Sequence, residues 1–464
     1  MRKSYETSMA FSKFGIYSIS LYFLLNWVSA AKANDDSLFQ TNQVTYLDPY
    51  KNIIYDMGDF KISFPKGRFL LKSMNNHFSL SIGTSIQYDI GGFIGSDKKH
   101  NQPDMGGSQA VLRRARFIIT IAYDNFKIIV APDVGRGALV NDSFHEINLN
   151  YIGFYHTDLS VGLIQPSVTL LGSETSAGFT LVERPMIIDL VRNIAGANAR
   201  IGFTASHWGK NYYIGASVTG QRFGKFYQDF QKNQKGGIIR AVIHPIGSQN
   251  YDLHMGVSGT VAFHGDNRRY SMNALPEAFI WPGRPYIRTG KINGVNNVWA
   301  IGPEFAFRFN RFIIQSEYYS IDLQRNSENN SRRSNLKFAG WYVSTNYVLF
   351  GQPRQYFSER AYFSAPKNVL FNPAVGDWGA LEWTARWSTM NLNSHRYDWD
   401  NGKVKNIHGG KQHVIATGFN WYPADQMRFS LEYNYVFATR SRNNYYNSAG
   451  RKSNILISRI EFNF

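Results

Sequence analysis

Met427-Arg428-Phe429-Ser430-Leu431-Glu432-Tyr433-Asn434-Tyr435-Val436-Phe437 is the stretch on which the reading of this chain turns. Met427, Phe429, Leu431, Tyr433, Tyr435 and Phe437 fall on one face of an extended segment, and Arg428, Ser430, Glu432 and Asn434 on the other. Side chains of a strand alternate between its two faces, so this is a strand with one apolar and one polar side. Upstream, Leu381, Trp383, Ala385 and Trp387 oppose Glu382, Thr384, Arg386 and Ser388, and Phe305, Phe307 and Phe309 oppose Glu304, Arg308 and Asn310. In the last segment Leu456, Ile460, Phe462 and Phe464 oppose Arg459, Glu461 and Asn463.

Segments of this kind, separated by clusters of Gly, Asn, Asp, Ser and Pro, continue back to Phe78. The expected strands are 78–90, 110–122, 125–132, 145–155, 158–165, 199–206, 211–220, 237–245, 251–263, 298–309, 311–322, 336–350, 379–390, 412–422, 427–438 and 454–464, sixteen in all. Tyr123-Asp124-Asn125, His156-Thr157-Asp158, Asn310-Arg311 and Pro423-Ala424-Asp425 are tight connections, whereas 91–109, 264–297, 391–411 and 439–453 are long and polar. Tight turns at one end and long loops at the other predict an all-β fold, a sixteen-stranded antiparallel transmembrane β-barrel, apolar towards lipid and polar towards a water-filled lumen. On the polar face Arg308 with Glu304, Arg386 with Glu382, and Arg428 with Glu432 read as matched charges. A soluble sandwich also alternates, but its buried face is rich in Val, Ile and Leu, and its other face needs no such balance.

Of 464 residues, 16% are aromatic and 18% charged, against about 25% charged in an ordinary soluble domain. The mean hydropathy of −0.33 excludes a helical membrane protein, and the aromatic content excludes disorder. Absence of Cys removes disulfide scaffolds, thiol catalysis and Cys-based zinc sites, and suits an exported protein. Residues 1–33 read as a secretory signal: Arg2, Lys3 and Lys13 give a basic start, Ile16 to Val28 an apolar core, and Ala31-Lys32-Ala33 a cleavage site. Its four cations and one anion take +3 from the formal +17 and leave +14. Residues 34–77 then read as an N-terminal periplasmic segment and 78–464 as the barrel.

No cofactor and no metal site is expected. Asp398-Trp399-Asp400-Asn401-Gly402 begins like a calcium loop, but Gly409 stands where a bidentate Glu is required. The chain has no H-E-x-x-H, Walker loop or G-x-S-x-G elbow. Its basic residues are scattered, which argues against a nucleic-acid partner. Arg332-Arg333, Arg440-Ser441-Arg442 and Arg451-Lys452 sit in loops that suit outer-membrane lipid and lipopolysaccharide, or simply solvent.

Leu112-Arg113-Arg114-Ala115-Arg116, Leu181-Val182-Glu183-Arg184, Gly340-Trp341-Tyr342, the run Tyr347 to Arg354, the run Trp378 to Ser388, and Gly418-Phe419-Asn420-Trp421-Tyr422 together resemble the phosphate-selective porin O and P family. The matching stretches spread in family order over most of 78–464 and are weak between about 222 and 297. The resemblance implies a trimeric outer-membrane porin passing small anionic or neutral solutes, with an arginine ladder and a constriction loop folded inward after the fifth strand. That loop corresponds to Gln165 to Arg200. By position Arg113 and Arg114 match the ladder, Arg184 a constriction arginine, and Thr175 and Ser176 constriction hydroxyls able to hydrogen-bond an oxyanion.

Arg114 and Arg116 share one strand face, opposite Ala115, Phe117, Ile119 and Ile121, and read as an anion track or as balanced wall charges. Whether Arg113 or Arg114 faces the lumen depends on register. The family's loop lysine falls at Gly172, two further lysines at Phe357 and Tyr362, an inward carboxylate at His145, and a constriction arginine at Ser85. These departures leave porin architecture intact and remove cations that would converge on phosphate. An anion-preferring porin is therefore the expectation, with phosphate or polyphosphate among its solutes. A general or sugar-type porin, a barrel lipid hydrolase with an outward Ser and His pair, and an adhesin are the alternatives.

Overall fold

The computed structural model describes residues 54–94, 108–135, 144–196, 200–222, 234–280, 285–326, 333–367, 371–394, 399–400, 403–404, 407–439 and 451–464. The leader expected over 1–33 lies outside these, as do Arg332, Arg440-Ser441-Arg442 and most of the 398–402 turn.

Sixteen long strands form one antiparallel meander: β1 (Phe78–Ile94), β2 (Gln109–Tyr123), β3 (Phe126–Pro132), β4 (Phe144–Tyr151), β5 (Thr157–Ile164), β6 (Arg200–Trp208), β7 (Tyr212–Arg222), β8 (Lys235–Gly247), β9 (Tyr251–Tyr270), β10 (Ile292–Phe309), β11 (Phe312–Arg325), β12 (Leu336–Phe350), β13 (Ala380–Ser394), β14 (Ile407–Ala424), β15 (Met427–Thr439) and β16 (Arg451–Asn463). Each pairs with the next, and β16 returns to pair with β1 from Asn454↔Ile94 to Asn463↔Ser85. The sheet is therefore a closed barrel, the one arrangement that lets strands cross a bilayer without an unpaired edge. Below the seam, short strands at Ile54–Asp56, Phe60–Ser63 and Phe69–Ser73 extend the sheet, the last pairing with Ser79 to Ile82 of β1.

The apolar face points outward. In β15, Leu431 is 52% exposed while its neighbour Glu432 is 2% exposed. Alternation of this sense is inside-out relative to a soluble protein and is what a lipid solvent selects. Tyr123, Phe126, Phe154, Tyr155, Tyr212, Tyr251 and Phe309 stand exposed around the tight-turn rim, as an aromatic girdle does.

Three details differ from the sequence reading. First, none of these wall charges pairs along its own strand: Arg308 pairs with Asp252 and Arg428 with Glu461 on adjacent strands, Arg240 with Glu304 two strands away, and Glu382 and Arg386 pair with Arg354 and Glu277 of the connections that follow β12 and β9. Same-face residues of one strand sit roughly 7 Å apart or more, whereas cross-strand partners sit about 5 Å apart.

Second, the lumenal face is polar only in part. Towards the long-loop end Ile321, Leu323, Phe338, Met390, Val414, Val436 and Ile457 point inward and are buried. They pack on two inward segments: residues 165–196, with helices α1 (Leu170–Ser173) and α2 (Met186–Ala195), and the described parts of 271–291, namely 271–280 and 285–291. Gly340 makes room for α2, since a β-carbon there would lie 2.9 Å from Cβ of Ile187.

Third, the tight-turn end carries one long connection. Residues 354–366, in the connection between β12 and β13, fold into the barrel from that end, burying Ala361, Tyr362 and Phe363.

Candidate functional site

The space left by these three segments includes a cavity of about 1030 Å³. Its lining includes Tyr270, Ser271 and Arg288 near the long-loop mouth, and Arg68, Ser85 and Asn463 near the tight-turn mouth. It therefore runs along the wall of β1 to β4, beside the 165–196 segment. Arg113, Arg114, Arg116, Arg184, Thr175 and Ser176 all line it.

A bulge in β2 settles which arginine faces inward. Gln87 pairs with Arg114 and Tyr88 with Leu112, so Arg113 has no partner residue across the ladder. An extra residue at a bulge lets two neighbours share a face. Arg113, Arg114 and Arg116 all line the lumen, while Leu112 and Phe117 remain outward and exposed.

Each arginine is held differently. Arg113 donates Nε and Nη2 to the Glu183 carboxylate at 2.6 and 3.0 Å and lies 4.1 Å above the Phe279 ring. Arg116 donates to Asp133 at 2.6 Å. Arg114 donates to Gln87 Oε1, and among the described residues no carboxylate lies within ion-pair distance of it. Arg184 donates Nε to the Leu171 carbonyl at 3.0 Å, stacks 4.1 Å from Phe179, and has Asp189 only at 4.0 Å. Arg114 and Arg184 are thus the least neutralised of the expected residues. Thr175 is exposed to the cavity and Ser176 half-buried beside it.

The 165–196 segment is fixed by the wall. Glu317 of β11 accepts the amides of Leu170 and Leu171 at 2.9 and 3.0 Å, and Glu432 accepts that of Val182. Arg354 donates to the Gly178 carbonyl, Arg428 to Phe179, Arg459 to Val182 and Arg386 to Glu183. Thr169, which caps α1, sits at φ 66°, a costly conformation for a β-branched residue, and is tied down by Ser258, Gly172 and Ser173. Arg354, Arg386, Arg428 and Arg459 are therefore anchors of this segment.

Within the inward segment, burial pushes the Glu174 carboxyl up to about 8, against the pull of Arg354 and Arg184. One of its oxygens is buried without a hydrogen-bond partner. Burial would raise Glu183 as well, but the charge and hydrogen bonds of Arg113, then the charge of Arg459, hold it well below the usual carboxylate range. Burial and the like charge of Arg192 weaken the proton affinity of Arg184.

The departures have physical explanations. A β-carbon on Gly172 would lie 2.5 Å from Thr169 Oγ1 and 2.8 Å from Arg192 Cδ, so the Arg192 stem occupies that space and brings its own cation to the cavity. Phe357 and Tyr362 pack with Phe363 against Leu170, where the 354–366 segment meets α1, instead of lining the passage. His145 and Ser85 line the cavity, Ser85 donating to Asn463 Oδ1 at 2.8 Å. Sequence reasoning missed Arg192, whose signal was its i,i+3 spacing from Asp189 on α2. It also missed Phe179 and Phe279, which nothing in the sequence marks as guanidinium platforms.

The family described as phosphate-selective porin O and P matches residues 80–464. Porin O of Pseudomonas aeruginosa is 24% identical over 402 residues, 79% of this chain and 85% of its own length. Among solved structures, outer-membrane expressed OmpT of Vibrio cholerae superimposes with a TM-score of 0.50 at 11% identity, over 85% of this chain and all of that one. An anion-selective porin from Comamonas acidovorans superimposes with a TM-score of 0.47 at 10% identity, over 83% of this chain and all of that one.

Proposed function

The chain belongs to the phosphate-selective porin O and P family, and from that premise we propose a passive outer-membrane channel through which small anions diffuse in preference to cations. The single observation that carries this reading is the cavity inside the barrel with Arg114 and Arg184 on its wall, short of full neutralisation. A guanidinium presents a planar fork of donors to oxyanions and halides and repels cations. Arg113, Arg116 and Arg192 add to the field, and the hydroxyls of Thr175 and Ser176 replace part of a passing anion's hydration shell. The 165–196 segment sets the size limit. No catalytic step is required, because transport is diffusion down a gradient.

We assign the working form as a homotrimer embedded in outer-membrane lipid and lipopolysaccharide. Strands β3 to β5 have only 7, 8 and 8 residues. At about 3.3 Å per residue and a tilt of about 40° they cover roughly 18 to 20 Å, less than the apolar band of about 25 Å. A neighbouring barrel against this low wall spares the membrane the mismatch. The general or sugar-type porin keeps one specific support, the neutralisation of Arg113 by Glu183 and Arg116 by Asp133. Reversal potentials in a KCl gradient across planar bilayers decide: chloride preference is expected, and zero or cation preference would overturn the anion reading.

A further inference from the structure

The passage is not uniformly polar. Its β2 side is cationic, but α2 contributes Met186, Leu190 and Ile194, spaced i, i+4 and i+8 on one helix face, and the 271–280 segment contributes Leu275 and Phe279. The two surfaces meet where the Arg113 guanidinium lies 4.1 Å above the Phe279 ring. Among the described residues the cavity is lined by eight arginines, six carboxylates and no lysine, a formal surplus of two positive charges, or three while Glu174 is protonated.

We propose that this channel is specialised for small organic monoanions, carboxylates whose body is apolar or aromatic, over inorganic phosphate. The inference rests on the anion-preferring reading above and names its solute. A doubly charged, strongly hydrated phosphate needs several free cations converging on it to replace its water. Here Arg113 and Arg116 are bound to carboxylates, and Arg184 donates its Nε to a backbone carbonyl. A guanidinium stacked on a ring is more weakly hydrated than an ammonium and suits an anion that sheds water readily. One carboxylate meets the half-buried Arg184, beside Arg114 on the cavity wall, while its apolar body slides along Leu190, Leu275 and Phe279. The removal of that body from water is favourable on this surface and absent from an all-polar one.

Bi-ionic potentials of the purified full-length porin in planar bilayers test this, with potassium chloride against acetate, benzoate and phosphate at pH 7. Acetate and benzoate share a head group, and benzoate diffuses more slowly in water, so size alone ranks acetate first. The expected result is benzoate more permeant than acetate by about threefold, with phosphate below both. Phe279→Ser should bring the benzoate-to-acetate ratio towards one. If that variant yields no folded barrel, the unmodified series decides by itself. Acetate equal to or above benzoate, or phosphate above benzoate, in a channel that still prefers chloride over potassium overturns this inference alone. Potassium preference in the same bilayers overturns the anion reading beneath it.

Discussion

At the scale of single residues, two arginines with the same sequence context differ by their partners. Arg114 is bound to an amide and Arg116 to Asp133, so each removal takes one positive charge from the passage, but only the loss of Arg116 leaves a bare carboxylate behind. A unit charge at about 4 Å is worth roughly 1 kcal/mol even in water, a factor of about five in permeability. Arg114→Ala and Arg184→Ala should each lower the chloride-to-potassium permeability ratio several-fold, and Arg116→Ala should lower it at least as much, because it leaves Asp133 uncompensated on the cavity wall, as reversal potentials would read. Glu174 adds a pH dependence whose sign follows from its position. Its carboxyl, pushed up to about 8, is neutral below that pH and negative above it. Raising the pH through 8 therefore adds an anion to the lining, and anion preference should fall between pH 7 and 9. In Glu174→Gln the fall should disappear, and a fall between pH 7 and 9 that persists in that variant would remove Glu174 from the passage.

Elements decide how wide the passage is. The constriction segment hangs from the wall by Glu317, whose carboxylate satisfies two buried amides of α1 at once. Leaving them unsatisfied costs about 1 to 3 kcal/mol each, comparable to what holds a loop in place. Glu317→Ala should give larger and noisier single-channel currents from a barrel that still migrates as folded. All sixteen strands were legible in the sequence, because lipid and water on opposite faces write themselves as alternation, whereas the inward position of 165–196 followed only from the family resemblance. Register was not legible. The bulge at Arg113, the pairing of Arg308 with Asp252 instead of Glu304, and the platforms Phe179 and Phe279 all depend on which residue comes to lie across the ladder or across the lumen. The inward turn of 354–366 escaped for a related reason, since its buried Tyr362 and Phe363 have the same composition as girdle aromatics.

For the whole molecule, closure depends on the seam between β16 and β1. Arg459 grips Asp89 across it with bonds of 2.6 and 2.7 Å and also holds the Val182 carbonyl, so one buried side chain joins seam and constriction. Arg459→Ala strands a buried carboxylate, which typically costs about 3 to 5 kcal/mol. The barrel should lose its compact electrophoretic form at a clearly lower temperature, while Arg459→Ala with Asp89→Ala should recover much of the difference. Cores packed into the lumen from both ends also make the two mouths unlike. From the outer side an anion first meets Arg288 and the apolar surface at Leu275, and from the periplasm it meets Arg68 and the polar pair Ser85 and Asn463. A conduit with such a built-in gradient of charge and wetting behaves electrically as a rectifier: identical salt on both sides should still pass unequal current when the voltage is reversed, so an oriented bilayer recording carries a signature of which way the protein was inserted.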